Sequence, residues 1–220
     1  MRVFDLTPLI NGKLGVFPGD VHYQRQMSLD FKTGHHLQLS SFTTTFHLGA
    51  HADSTSHYNA NGEGIEARDL SAYVGTAQVL RVEVARGERV QPRHLQGRKI
   101  LAKRVLFHTG TFPDPQNWNS DFASLSPELI RELADQGVRL VGLDTPSVDP
   151  EDSKDLESHE ALFQTKIAVL EGLILEKVPE GLYTLMALPL PFQGADASPV
   201  RALLFSEPTL FPETSWDVQR

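Results

Sequence analysis

The chain has 220 residues, of which 40% are hydrophobic and 22% are charged, a formal net charge of −8 and no cysteine. This composition predicts a globular protein whose single domain, 1–220, builds its core without disulfides. The acidic balance excludes nucleic acid and anionic membranes as expected partners. The sequence shows neither a signal peptide nor an apolar run of membrane-spanning length. A cytoplasmic protein that binds a small molecule is therefore expected.

The predicted elements are mostly short strands joined by turns. The first strand is expected at 2–10, and two more are expected between Tyr23 and Phe46, around a break at 32–34. Alternating and β-branched apolar residues predict further strands at 76–84, 103–110, 138–144, 166–172, 183–190 and 200–205. This pattern favours a β-rich α/β domain with few outer helices, although it does not give the strand order.

Only two helices are predicted with clear start and stop signals. In SPELIRELADQG, Ser126 caps the helix, Pro127 takes the first helical position, and Gly137 ends it after an apolar stripe. A shorter helix is expected from Ser158 to Gln164, and a turn or two at 91–96.

The stretch HLGAHADSTSH, residues 47–57, holds three of the nine histidines. If the strand through Thr-Thr-Thr-Phe continued into it, His47, Gly49, His51 and Asp53 would share one face, with glycine leaving room for an ion. A straight strand would hold the two histidine Cβ atoms about 13 Å apart, too far to share an ion. We therefore predict a backbone bend near Gly49, where the missing Cβ permits one.

Without cysteine, a metal site must be completed by imidazole and carboxylate ligands from elsewhere. His159, in DSKDLESHEAL, and Glu171, at the end of an apolar strand, are the candidates. The competing interpretation is a surface loop with incidental histidines. A helical zinc motif is excluded because Leu48 and Gly49 follow the first histidine. Asp144 and Asp149 are expected to shape turns, and His108 is left without a role.

Several segments resemble one protein family. HLGAHADSTSH resembles the HxGTHxDxPxH signature of the metal-dependent cyclase-like hydrolases, although Ala50 replaces the usual threonine. VFPGD at 16–20, GLDTPSVDPEDSKDLESH at 142–159, VLEGL at 169–173 and ALPLPFQGADASPVRALL at 187–204 resemble the bacterial kynurenine formamidases, a subgroup of that family. The resemblance extends over nearly the whole chain and implies the swivelling β/β/α fold, assembled as a homodimer or larger oligomer.

The resemblance also implies two divalent metal ions, with zinc expected and manganese or cobalt as alternatives. By this resemblance, the first ion is held by His47, His51 and Asp53. Asp53 would also bridge to the second ion, which His159 binds, and Glu171 would bridge both. His57 is implied as the general acid and base rather than a ligand. Phe17 stands where many relatives have a tryptophan that packs on the substrate ring.

The reaction implied is hydrolysis of an aryl formamide, N-formyl-L-kynurenine, to L-kynurenine and formate in tryptophan degradation. Metal-activated water would attack the formyl carbon, and His57 would carry the proton to the departing nitrogen. Two alternatives remain open. One is a related hydrolase that opens a cyclic amide such as isatin, and the other is a metal-binding protein without turnover.

Overall fold

The computed structural model describes residues 1–208, so residues 209–220 of the predicted domain lie outside the described part. The strands are β1 (Val3–Asp5), β2 (Gln24–Leu29), β3 (Leu39–Thr43), β4 (His51–Asp53), β5 (Val74–Arg81), β6 (Arg89–Val90), β7 (Arg104–His108), β8 (Ser124–Leu125), β9 (Leu140–Leu143), β10 (Ala168–Glu171), β11 (Gly181–Met186), β12 (Ala197–Pro199) and β13 (Leu203–Phe205). The α-helices are α1 (Pro127–Asp135) and α2 (Glu157–Thr165). Within residues 1–208, no helix has the length and apolar composition that crossing a membrane requires.

Nine strands form one mixed sheet in the order β1-β13-β11-β5-β7-β9-β10-β4-β12. The central strands β5, β7, β9 and β10 run parallel to one another, and the remaining neighbours pair antiparallel. Two small ribbons stand apart: the β2–β3 hairpin and the parallel pair β6–β8. The short β4 is therefore hydrogen-bonded on both sides within the main sheet, between β10 and β12.

The central strands are buried on both faces, as their continuous apolar sequences require. In β7, Leu106 packs into the core cluster of one face, whereas Val105 and Phe107 pack into the cluster of the other. Helix α1 covers this second face. Its cap Ser126 accepts a hydrogen bond from the Leu129 backbone N–H, as the sequence predicted.

The predicted β-rich α/β class is confirmed, as are the two strands between Tyr23 and Phe46 and the two helices. The strand through Thr-Thr-Thr-Phe does not continue into residues 47–57. Strand β3 ends at Thr43 in the separate hairpin, and β4 starts afresh at His51 in the main sheet. The unpredicted strands β6, β8 and β12 have only two or three residues, too few to show a periodicity.

The predicted bend at Gly49 is confirmed, since this residue has a φ of +58°. The positive φ fits the expected reason, a residue without Cβ. Packing adds a second reason, because a Cβ at Gly49 would lie 2.8 Å from Pro8 Cγ and 3.2 Å from Leu14 Cδ2. The glycine is therefore required both by its backbone conformation and by packing against the N-terminal segment.

Candidate metal centre

The floor of the site is built by the register between β4 and β10. Glu171, the last residue of β10, pairs directly with His51, the first residue of β4. Directly paired residues share a face of the sheet, and Asp53 shares that face because it lies two residues further along β4. All three side chains are buried. Sheet hydrogen bonds thus hold an imidazole and two carboxylates together on one face.

The bend at Gly49 brings His47 back over this floor. The ring centroids of His47 and His51 lie 4.9 Å apart, so the bend shortens the separation that a straight strand would impose. The Nδ1 atom of His47 lies 3.1 Å from Asp53 Oδ1, and its Nε2 atom lies 3.0 Å from Asp196 Oδ2. Each nitrogen of this ring therefore faces a carboxylate.

Helix α2 supplies His159 from the opposite side, and Asp149 fixes its orientation. The buried Asp149 carboxylate accepts hydrogen bonds from the backbone N–H groups of Ser158 and His159 and, at 2.8 Å, from His159 Nδ1. It also pairs with the Arg89 guanidinium at 2.8 Å. Because Nδ1 donates its proton to Asp149, the Nε2 lone pair of His159 is left facing the floor of the site.

The two floor carboxylates each face two sides of the cluster. The Oδ1 atom of Asp53 lies 3.3 Å from His51 Nε2, while its Oδ2 atom lies 3.5 Å from His159 Nε2. The Oε2 atom of Glu171 lies 3.3 Å from His51 Nε2, and its Oε1 atom lies 3.8 Å from His159 Nε2. Oε1 also accepts the Val148 backbone N–H at 2.7 Å, which fixes the carboxylate.

This concentration of charge shifts the pKa values of the cluster. Burial works to lower the pKa of each imidazole, but the neighbouring carboxylates raise it to about 9 for His47 and about 10 for His51 and His159. Burial works to raise the pKa of Asp53, but His47, His159 and His51 hold it well below its usual range. A cation is therefore strongly favoured between these carboxylates, whether it is a proton or a metal ion.

The hydrogen-bonding pattern fits a metal ion better than protons alone. Within residues 1–208, both Asp53 oxygens and the Nε2 atoms of His51 and His159 are buried without a hydrogen-bond partner. Burying such polar atoms lowers the stability of the fold unless a ligand binds to them. The second nitrogen of each ring is held, since His51 Nδ1 donates to the Gly49 carbonyl at 2.8 Å and His159 Nδ1 donates to Asp149. The unpartnered atoms are thus aimed at one another with their orientations fixed, as metal ligands are.

His57 lies beside this cluster at its open side, on the short 3-10 turn Thr55–His57. Its ring centroid is 4.2 Å from that of His47, and its Nδ1 atom is 3.8 Å from Asp196 Oδ2. One third of its side chain is exposed. Ligand atoms suitable for a metal converge in three overlapping groups, His47–His51–Asp53, His47–His57–Asp196 and Asp53–His57–His159. The geometry is therefore compatible with His57 either as a ligand or as a free imidazole.

A cavity of about 390 Å³ opens above the cluster. Phe17, Phe112 and Trp118 line one wall, and the rings of Phe17 and Trp118 meet edge to face with centroids 5.5 Å apart. Pockets of this size and aromatic character typically hold small organic molecules. A molecule with a planar ring can pack on this wall while a polar group reaches the cluster.

The structure brings together all the residues that the sequence proposed for the site. His47, His51, Asp53, His57, His159, Glu171 and Phe17 line the cavity or its floor. Sequence reasoning missed Asp196 and Trp118, and it assigned Asp149 only to a turn. His108 points elsewhere, with its Nε2 atom 3.6 Å from Asp144 Oδ2.

Three comparisons with known proteins agree with this picture. The chain is 40% identical over 204 residues to the kynurenine formamidase of Delftia acidovorans, covering 92% of this chain and 97% of that one. A solved structure of a potential metal-dependent hydrolase with cyclase activity is 26% identical, with a TM-score of 0.79 and coverage of 92% of this chain and 96% of that one. Isatin hydrolase A from Labrenzia aggregata, at 19% identity, shares the fold, with a TM-score of 0.76 and coverage of 94% of both chains.

The match to a family model is equally direct. Residues 4–150, more than half of the chain, match the model of the cyclase family. This segment includes β4 and the whole of HLGAHADSTSH, whereas His159 and Glu171 follow it in the chain. By this match and by its identity to the Delftia protein, the chain belongs to the cyclase family.

Proposed function

We propose that this protein is an arylformamidase that hydrolyses N-formyl-L-kynurenine to L-kynurenine and formate, a step of tryptophan degradation. The observation that carries the proposal is the buried cluster of unpartnered nitrogen and oxygen atoms at the base of an aromatic-walled cavity. The 40% identity to a kynurenine formamidase over nearly the full length of both chains supports this substrate.

The proposed cofactor is a pair of divalent metal ions. His47, His51 and Asp53 would hold one ion, and His159 the other, with Asp53 and Glu171 shared. This assignment is supported by the two oxygens of Asp53, which lie near different histidines at 3.3 Å and 3.5 Å. Bound divalent ions would lower the pKa of a water ligand towards 7 and polarise the formyl oxygen.

His57 is proposed to move the proton that the reaction requires. Burial lowers the pKa of its imidazole, which favours the neutral ring that can accept a proton. The neighbouring Asp196 carboxylate, 3.8 Å from Nδ1, favours one ring orientation. As the C–N bond of the formamide breaks, His57 would return the proton to the departing aniline nitrogen.

Phe17 is proposed to pack on the aryl ring of the substrate together with Trp118. A phenylalanine offers a smaller face than the tryptophan that the family resemblance implies at this position. The edge-to-face contact between Phe17 and Trp118 extends the aromatic wall, so a second ring contributes to the surface.

The test is the absorbance of kynurenine formed from N-formylkynurenine by metal-replete protein, with a chelator-treated sample as control. We expect turnover that stops on chelation and returns with added metal. Hydrolysis of isatin instead of the formamide would replace the proposed substrate with a cyclic amide. Stoichiometric metal without turnover on either compound would indicate a non-catalytic metal protein.

Substitution of Asp53 tests whether its carboxylate is shared by both metal ions. Asp53→Ala is expected to remove both ions, because one side chain faces both halves of the cluster. Metal analysis of the purified variant measures this, and retention of one ion per chain would show that Asp53 serves a single site.

We also propose a homodimer or larger oligomer, built in part on the β2–β3 hairpin. This ribbon exposes Met27, Leu39 and Phe42, with 66% of Phe42 accessible, and such exposed apolar residues are typical of contact surfaces. Light scattering of wild type and Phe42→Ser tests the assembly. Zinc as the native metal and a cytoplasmic location remain proposals, to be tested by elemental analysis of protein purified without added metal and by cell fractionation.

A further inference from the structure

The charges around the cavity are unevenly distributed. Carboxylates line it at Asp20, Asp144, Glu151 and Asp196 as well as on its floor. Among residues 1–208, Lys154 is the only lysine or arginine that lines it. Lys154 is exposed, and it forms no ion pair or hydrogen bond with any other residue of the described range. Outside the histidines of the cluster, Lys154 is therefore the one basic side chain of the described residues that an anionic ligand group could meet in this cavity.

The segment that carries Lys154 runs along the cavity wall towards the metal cluster. Its neighbours Glu151, Ser153 and Leu156 line the same cavity, and His159 lies five residues further on. The turn is braced by two hydrogen bonds, from Ser153 N–H to the Pro150 carbonyl at 3.0 Å and from the Leu156 N–H to Ser153 Oγ at 3.2 Å. The backbone that presents Lys154 is thus tied to the start of α2 and to the ligand that α2 carries.

The proposed substrate carries charged groups that complement Lys154 and the carboxylates of the cavity. N-formylkynurenine carries its formamide on an aromatic ring, and a ketone chain on the neighbouring ring carbon ends in an α-amino acid group. With the formamide at the cluster and the ring against Phe17 and Trp118, this group extends towards the cavity mouth. Its carboxylate can pair with a cation there. Its ammonium group suits a carboxylate such as the half-buried Glu151, whose position is fixed by a hydrogen bond from Trp118 Nε1.

We infer that Lys154 binds the α-carboxylate of the substrate's amino acid group, and that it selects this substrate over aryl formamides and cyclic amides that lack the group. This inference rests on the proposed function and deepens it. Isatin and simple formylated anilines carry no carboxylate, so Lys154 contributes nothing to their binding. Lys154 is accordingly a specificity-determining residue and takes no part in breaking the amide bond.

The experiment compares two ligands and two substrates that differ only in the amino acid group. Binding of L-kynurenine and of 2-aminoacetophenone is measured by calorimetry on metal-replete wild type, Lys154→Met and Lys154→Arg. Hydrolysis of the corresponding formamides is measured in parallel. Lys177→Met removes an exposed lysine that does not line the cavity and serves as the matched control.

We expect Lys154→Met to weaken kynurenine binding and to raise KM for N-formylkynurenine by about 10- to 100-fold, the effect of one charge-assisted hydrogen bond. Binding of 2-aminoacetophenone and turnover of its formamide should stay within about twofold of wild type, and Lys154→Arg should restore most of the loss. Equal losses on both ligands, or none on kynurenine, would overturn the inference. Failure of wild type to hydrolyse either formamide would refute the proposed function, while the binding data would still decide the role of Lys154.

Discussion

Asp149 offers the sharpest test of how the cluster is held in place. Its fully buried carboxylate accepts hydrogen bonds from the Ser158 and His159 backbones, from His159 Nδ1 and from Arg89. Asp149→Asn keeps the shape of the side chain but replaces one acceptor oxygen with an NH₂ group, which is a donor only. At least one of the present donors then faces another donor.

The magnitude follows from these contacts. Removing the carboxylate behind a metal-binding histidine typically weakens metal affinity about 10- to 100-fold, or about 1.4 to 2.8 kcal/mol. The loss of a charge-assisted hydrogen bond in a buried position also lowers the free energy of unfolding by about 1.5 to 3 kcal/mol. We expect both effects in Asp149→Asn, with the affinity loss concentrated at the site that contains His159.

Chelator competition measures the metal affinity, and denaturant unfolding measures the stability. Asp144→Asn is the matched control, because this nearly buried carboxylate likewise accepts backbone N–H groups, from Thr109 and Gly110, but contacts no imidazole of the cluster. The control should lose stability and keep its metal affinity. If Asp149→Asn binds metal as tightly as wild type, the carboxylate does not orient His159 for a metal.

Four further predictions concern proton transfer, metal binding and backbone packing. His57→Ala should retain its metal and lose about 10²- to 10⁴-fold in kcat, whereas loss of metal in elemental analysis would make His57 a ligand. In wild type, the acidic limb of the kcat/KM profile should have its midpoint below pH 6.5, because burial lowers the pKa of His57. The apparent zinc affinity should increase from pH 6.5 to pH 8.5, because the imidazoles of His47, His51 and His159 have pKa values of about 9 to 10 and the metal must displace their protons. An affinity that does not depend on pH in competition assays would contradict this. Gly172→Ala should unfold at a lower denaturant concentration than Gly87→Ala. Both glycines have a positive φ, but only at Gly172 would a Cβ meet the backbone, 2.2 Å from the Gly49 carbonyl oxygen. Equal unfolding midpoints for the two variants would exclude that close approach as the reason for the glycine.

The local part of the site could be predicted from the sequence, because it depends on spacing along the chain. The need for a bend at Gly49 followed from the distance between His47 and His51 alone. The strand order did not follow, because cross-strand pairing depends on long-range packing that no local pattern encodes. The pairing of His51 with Glu171 therefore could not be predicted, although Glu171 could be named as a candidate ligand.

The roles of Asp149, Asp196 and Trp118 could not be predicted for a different reason. Asp149 precedes a helix and follows a proline-containing turn, so its local pattern is that of a turn residue, and only the fold places its carboxylate behind His159. Asp196 and Trp118 lie in irregular segments, where neither helical nor strand periodicity indicates which way a side chain points. For such positions, the arrangement of distant segments decides the role.

The site has a floor on the sheet and a mouth on loops, because β4 is hydrogen-bonded between β10 and β12. His51, Asp53 and Glu171 lie on hydrogen-bonded strands that can move only with the main sheet. Phe17, Lys154 and the other residues of the cavity mouth stand on turns and connecting segments, where replacement of side chains leaves the ladder intact. Substrate preference in such a protein can therefore change by mutation of the mouth while the ion-binding floor keeps its geometry.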